Sequence, residues 1–236
     1  RTGHVTVKDK AGKAAPKTLT FVQEAQSREW KARRIMERVY EAWGAREWKN
    51  EPWIPGENWP GFYYDYQTQA GYFWTYDFGI TREMPECIGE LGDLLGEIHI
   101  RADPGLTGTL PDSFRKLTGL RRVSIQLTGM TSIPDVFGDM KQLKELFIAT
   151  NRSMAGPLPK HINSPVLENL LFAECMFSGE IPDTWAPYIG IAKVFGNCLG
   201  GKISQLLHNA DEVKAFVQNS NLWQQTGYGF DISDLD

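Results

Sequence analysis

Apolar positions through the middle of the chain form a ladder. An apolar residue followed by proline recurs at Met84-Pro85, Leu110-Pro111, Ile133-Pro134, Leu158-Pro159 and Ile181-Pro182, with Ile203-Ser204 as a sixth rung. The rungs are separated by 26, 23, 25, 23 and 22 residues. An L-x-x-L-x-L frame precedes each rung from the second onward: Leu95, Ile98, Ile100; Leu120, Val123, Ile125; Leu143, Leu146, Ile148; Leu167, Leu170, Phe172; and Ile189, Ala192, Val194. Period-two apolar residues predict short strands with one face inward. Small-residue turns such as LTGTLP, MAGPLP, FSGEIP and LGGKIS follow the frames. There glycine permits a tight backbone turn and proline sets φ while surrendering a donor. Apolar residues then return at spacing three (Phe114 and Leu117, Phe137 and Met140, Trp185 and Tyr188, Leu207 and Ala210), which suits a 3₁₀-like or irregular return. A single coil of this kind cannot bury its own face, so the repeat predicts stacked coils around a continuous core.

The ends of the chain follow other patterns. Residues 27–49 place Ile35, Met36, Val39, Tyr40 and Trp43 on one helical stripe, with Ser27 as the N-cap. An aromatic-dense stretch follows, and six of the eight tryptophans lie between Trp30 and Trp74, so large apolar mass is concentrated at one end. Residues 1–25, including HVTVKDKAGKAAPKTLTFVQEA, alternate as two strands around a Gly/Lys turn. The tail NLWQQTGYGFDISDLD breaks the period and is expected to close the far end.

The middle of the chain resembles leucine-rich repeats of the plant-specific type, L-x-x-L-x-L-x-x-N-x-L-x-G-x-I-P. Asn151 and Asn197 hold the asparagine place, Cys175 replaces it once, and Asp103 and Thr128 occupy it in the early coils. The resemblance implies an asparagine ladder bonding the turn backbone of adjacent coils, looser at Asp103 and Thr128. It also implies a right-handed α/β solenoid with a parallel concave sheet, an irregular or 3₁₀ convex side and a helical N-terminal cap. The expected organisation is a β-hairpin at 1–25, a tryptophan-rich cap at 26–70, about six repeats at 71–217 and a C-terminal cap or tail at 218–236. The cap lacks the cysteine pair usual in this family. The first 25 residues resemble the closing hairpin of a BACON-type immunoglobulin-like domain. That likeness implies a longer bacterial protein, secreted or displayed at the cell surface, with a lipid anchor as one form of attachment.

Composition narrows the chemistry. A formal charge of -4 gives no basic footprint for nucleic acid, and KARRIMER reads as the wet side of a helix. No 18-residue apolar run predicts a membrane span. The three cysteines, Cys87, Cys175 and Cys198, have neither framework nor metal-site spacing and read as core thiols, although Cys175 and Cys198 fall one repeat apart. The four histidines stand in no catalytic motif, so neither an enzyme nor a cofactor is expected. His99 with Glu97 and Arg101 is the one cluster resembling catalytic parts, and reads as a solvated charge face. GNCLGGKIS at 196–204 matches the start of a phosphate-binding loop, but Ile203 replaces the metal-binding hydroxyl and coincides with a rung, so no nucleotide is expected.

The residues between the frame positions point to the concave sheet in a fold of this kind. Three columns result: Glu97, Arg122, Glu145, Asn169, Ile191; His99, Ser124, Phe147, Leu171, Lys193; and Arg101, Gln126, Ala149, Ala173, Phe195. Early coils are charged and polar, while later ones present Phe147, Leu171, Ile191 and Phe195. An outward apolar cluster ringed by Glu145, Glu174 and Lys193 suits a protein partner. Six strands about 4.8 Å apart make a sheet roughly 25–30 Å wide, and a standard interface takes about 800 Å² per partner. The rival reading uses the cap, where Trp59, Tyr63, Tyr64 and Asp65 would bind a polysaccharide by stacking and hydrogen bonding.

Overall fold

A computed structural model of the chain describes residues 27–202 throughout, the strands β1 (Gly3–Lys8) and β2 (Ala14–Phe21), and Leu206, 211–212, 215–216 and 230–231. β1 and β2 pair antiparallel, Gly3 opposite Phe21, as the expected hairpin. The cap helix α1 (Arg28–Trp43) starts at Ser27, whose hydroxyl accepts the Trp30 N–H at 3.0 Å. It ends at Trp43, the last residue of the predicted stripe, because Gly44 adopts a left-handed φ of 68° and its N–H bonds the helix's last carbonyls. Ala32, Met36, Val39, Tyr40 and Trp43 form its buried stripe, and Ile35 is half-buried.

β3 (Phe62–Asp65) and β4 (Ala70–Tyr76) form an antiparallel hairpin beneath the helix, Phe62 opposite Phe73. Trp43 packs on Phe73 at 5.8 Å, and the Tyr40 hydroxyl donates to the Pro60 carbonyl at 2.7 Å. Trp48 and Trp53 complete this aromatic core. Bulky rings here occupy the space that a preceding coil would fill, which is what ends a solenoid.

The frames become parallel strands β5 (Leu95–Arg101), β6 (Arg122–Gln126) and β7 (Glu145–Ala149). A short β8 (Ala155–Gly156) precedes β9 (Asn169–Ala173), β10 (Met176–Gly179) and β11 (Ala192–Lys193). β12 (Cys198–Leu199), β13 (Gly201–Lys202) and β14 (Phe230–Asp231) follow. One seven-stranded sheet runs β11-β9-β7-β6-β5-β4-β3, parallel except for its final pair. A second parallel strip, β12-β10-β8, runs through the turns, and the tail joins as β14 against β13. Convex returns carry 3₁₀ turns at Glu86–Leu94, Asp112–Lys116 and Asp183–Tyr188. Frame residues Leu95, Ile98, Ile100, Leu120, Val123, Ile125, Leu143, Leu146 and Ile148 are wholly buried, as are Phe114, Phe137 and Trp185 behind them. The sixth rung at Ile203, with Leu207 and Ala210, lies outside the described residues.

A second column holds the coils together. Asp77, Ala102, Leu127, Thr150 and Glu174, each just past a strand, have φ between 51° and 60°. Side chains other than glycine rarely adopt this region. Each N–H is thereby aimed at the next coil's strand, as in Thr150 to the Ala173 carbonyl (3.0 Å) and Glu174 to Phe195 (2.9 Å). Gly196 takes the same place with φ 67°, and a Cβ there would sit 3.0 Å from the Glu174 nitrogen. The glycine of the apparent phosphate loop is therefore a coil-turn residue.

Of the two early residues in the adjoining asparagine place, Asp103 ties its coil to the one before it, whereas the Thr128 side chain bonds forward to Asn151. Asn151 Oδ1 accepts from the Thr128 N–H (2.9 Å) and hydroxyl (2.8 Å), and its Nδ2 donates to the Ile125 carbonyl (2.8 Å). Asn197 Nδ2 donates likewise to the Phe172 carbonyl (2.8 Å). Asp103 accepts from the N–H groups of Gly79 (2.8 Å) and Ile80 (3.1 Å) and from the Thr75 hydroxyl (3.2 Å). Its carboxylate is wholly buried, and burial pushes its pKa above the usual aspartate value against the pull of those donors. A raised folded-state pKa means that the contribution of Asp103 to stability is fully present below the ordinary aspartate value near 3.8 and is lost as pH rises through the folded pKa. Asp103→Asn keeps the acceptor and removes the charge. It should stabilise the chain by about 1 kcal/mol at pH 7, roughly 2–4 °C in thermal midpoint, with a smaller gain at pH 4. Equal gains at both pH values in thermal melts would contradict this.

Candidate functional site

Parallel pairing brings the predicted columns into line. Glu97, Arg122, Glu145 and Asn169 are consecutive partners, as are His99, Ser124, Phe147, Leu171 and Lys193, and Arg101, Gln126, Ala149 and Ala173. Ile191 and Phe195 flank the two-residue β11 rather than lying in it. Both are half-buried, and Phe195 is tied to the sheet by its carbonyl.

The early end is not a solvated charge face. Glu97 is only 7% exposed and lies between His99 Nε2 (3.2 Å) and Arg122 (3.6 Å). Arg122 also reaches Glu145 at 3.3 Å. Trp74 packs on the His99 ring with centroids 4.5 Å apart, and burial holds the imidazole pKa below its usual value against the pull of Glu97. His99 Nε2 and a Glu97 carboxylate oxygen lie within hydrogen-bond distance, 3.2 Å apart. A partly desolvated network of this kind fixes the shape of the sheet surface more than it offers free charge. Arg101 stays exposed, its guanidinium 6.0 Å from the Tyr76 ring.

The late end is apolar. Phe147 and Leu171 are half-buried side by side on paired strands, next along those strands to buried Ala149 and Ala173. With half-buried Phe195 on the following coil they make an apolar patch on the concave face. Exposed Glu174, which accepts the Thr150 hydroxyl at 3.0 Å, and exposed Lys193 stand at its margin.

The columns also continue into the cap, where sequence reasoning did not extend them. Tyr72, Trp74 and Tyr76 pair with Glu97, His99 and Arg101, so β4 adds a row of aromatics to the concave face. The alternation in AGYFWTY, with Phe73 and Thr75 buried, was the available signal. Of the four cap residues expected to hold sugar, Tyr63 is 64% exposed and Trp59 half-buried, but Tyr64 is 2% exposed and turns inward. β3 alternates, so Tyr63 and Tyr64 cannot share a face. Asp65 is committed to its own turn, accepting from the Gln67 N–H (2.8 Å), the Thr68 hydroxyl (2.8 Å) and the Tyr72 hydroxyl (3.3 Å). Tyr64 and Asp65 are thus structural, and Trp59 and Tyr63 instead line a cleft of about 460 Å³ with Gly61, Phe62, Tyr72 and Trp74.

The cysteines are free, and burial pushes the Cys175 thiol up to about 11, the behaviour of a core residue. Among the described residues no three or more His, Cys, Asp or Glu gather as a metal-holding group, and no helix is long and apolar enough to cross a membrane.

No family model matches the chain, and no curated protein matches it. Solved structures do. A structure of the Arabidopsis receptor kinase HAESA with the peptide hormone IDA and the co-receptor SERK1 is similar at TM-score 0.52 and 27% identity, over 65% of this chain and 25% of that one. The leucine-rich-repeat ectodomain of the receptor kinase SOBIR1 from Arabidopsis thaliana is similar at TM-score 0.50 and 19% identity, over 71% of this chain and 94% of that one. A PEPR1–AtPEP1 structure gives 0.51 and 20%, over 76% and 26%. The chain spans about a quarter of the HAESA and PEPR1 chains. These likenesses show a leucine-rich-repeat fold, a solenoid with a parallel sheet.

Proposed function

We propose that the chain is a non-catalytic recognition module that binds a protein or peptide segment on the concave face of its solenoid. The observation carrying this reading is the apolar patch of half-buried Phe147, Leu171 and Phe195 beside Ala149 and Ala173, on a sheet whose other face is the core. Apolar area on a surface otherwise knit by ion pairs stabilises little until a partner covers it. Arg101, Gln126, Glu145, Glu174, Ile191 and Lys193 would form its rim, while Glu97, His99 and Arg122 flank it on the same face in the preceding strands. The similarity to HAESA, solved with a peptide hormone, supports a peptide-sized occupant. This reading places the protein outside the cell, secreted or attached at the surface, including through a lipid, with the hairpin at 1–25 belonging to a preceding immunoglobulin-like domain.

A random-peptide display library panned against the full chain tests the proposal. Enriched peptides should bind the wild type saturably and lose about 30-fold on Phe147→Asp, about 2 kcal/mol for one buried anchor. Thermal midpoints of the two proteins should agree within a few degrees. An absence of enriched peptides, or peptides indifferent to both Phe147→Asp and Leu171→Asp, would overturn it.

A further inference from the structure

The cleft at the cap end of the sheet has a different chemistry from the apolar patch around Phe147. Trp74 is 57% exposed and Tyr63 64%, on adjacent antiparallel strands, and Tyr63 stands 6.4 Å from Tyr72 across the pair. A monomer gains nothing by leaving such rings in water. Gly61 makes the cleft possible: its φ is 68°, and a Cβ there would meet the Trp74 carbonyl oxygen at 2.2 Å. The volume of about 460 Å³ falls within the roughly 300–1,000 Å³ of small-ligand sites.

Charge around the cleft restricts its occupant. Among the described residues its lining carries no charged side chain, and the rim carries both signs. Arg33 lies 4.8 Å from the Trp59 ring and is paired with Glu29, while Arg121 donates to the Tyr72 hydroxyl (3.3 Å), which donates on to Asp65. A cationic ligand would meet two guanidiniums that already occupy the aromatic rim, and an anionic one would meet Asp65 and Glu29. A neutral ring with an apolar C–H face and hydroxyl edges meets neither penalty. Its face stacks on Trp74 and Tyr63, and its hydroxyls both donate and accept, matching the Tyr72 hydroxyl and the Arg121 guanidinium that reaches it. From this geometry we infer that the Trp59–Tyr63–Tyr72–Trp74 cleft is a binding subsite for a neutral pyranose unit of a glycan chain, separate from the patch proposed to bind a peptide.

The full chain should be titrated with neutral hexasaccharides of β-linked glucose, β-linked xylose and α-linked mannose, followed by tryptophan fluorescence and calorimetry. At least one should bind saturably below 10 mM, and Trp74→Ala and Tyr63→Ala should each weaken it tenfold or more. Both side chains are more than half exposed, so these variants should melt with the wild type. Phe147→Asp should leave sugar binding unchanged, which separates this result from the fate of the peptide-binding proposal. Saturable binding of none of the three sugars, or binding indifferent to both cleft variants, overturns the inference. So does display-selected peptide binding that is lost on Trp74→Ala and insensitive to the sugars.

Discussion

Asn151→Ala lowers the thermal midpoint by roughly 10 °C. The side chain is wholly buried and satisfies three groups of the preceding coil: the Thr128 N–H, the Thr128 hydroxyl and the Ile125 carbonyl. Alanine leaves the two backbone groups without partners in a region that water does not reach. A buried orphan costs about 1–3 kcal/mol, so a total near 3–4 kcal/mol is expected. At this chain length each kcal/mol moves the midpoint by about 2–4 °C. Asn169→Ala is the control, since that asparagine is exposed on the concave face and should shift stability by less than about 0.5 kcal/mol. Melts in which the two variants behave alike would show that the ladder does not join the coils.

Trp43→Ala should cost about 3–5 kcal/mol, the range for removing a large aromatic from a core. Trp43 is 1% exposed, packs against Trp48 (5.8 Å) and Phe73 (5.8 Å), and donates from its indole to the Arg82 carbonyl at 3.2 Å. It therefore joins the cap helix, β4 and the first rung. The cavity would open beneath the strand that begins the parallel stack, so the loss should appear as earlier hydrogen exchange in β4 and β5 as well as a lower midpoint. Trp30→Ala, on the exposed side of the same helix, should change the midpoint by no more than a degree or two. Exchange confined to the helix in Trp43→Ala would mean that the cap and the repeats unfold separately.

Some of this was legible in the chain and some was not. The rungs and frames were readable because a repeated period reports burial directly: a residue at 98, 123 or 146 has the same neighbours one coil away. The concave columns were readable for the same reason. The phase of β3 was not. FYYD is apolar or aromatic at three successive positions, so no alternation marks which tyrosine turns inward; only pairing with β4 buries Tyr64 and exposes Tyr63. Tyr72, Trp74 and Tyr76 were hidden for a related reason, since an aromatic-rich stretch reads as cap filling until its strand is seen beside β5.

Asp103 illustrates the division of information. Its place in the repeat was apparent from spacing, yet its strength as a ladder residue depended on Gly79, Ile80 and Thr75 arriving from the coil before. The Glu97–His99–Arg122–Glu145 network is likewise an outcome of strand register, which sets charges two and more than twenty residues apart side by side. By itself the sequence determined that the chain stacks coils, which side chains fill them and where glycine must turn them, because each of these depends on local period and local backbone freedom. Tertiary structure alone decided which polar atoms meet across coils and which cap aromatics face water. Both depend on partners distant in the chain whose distances no periodicity encodes.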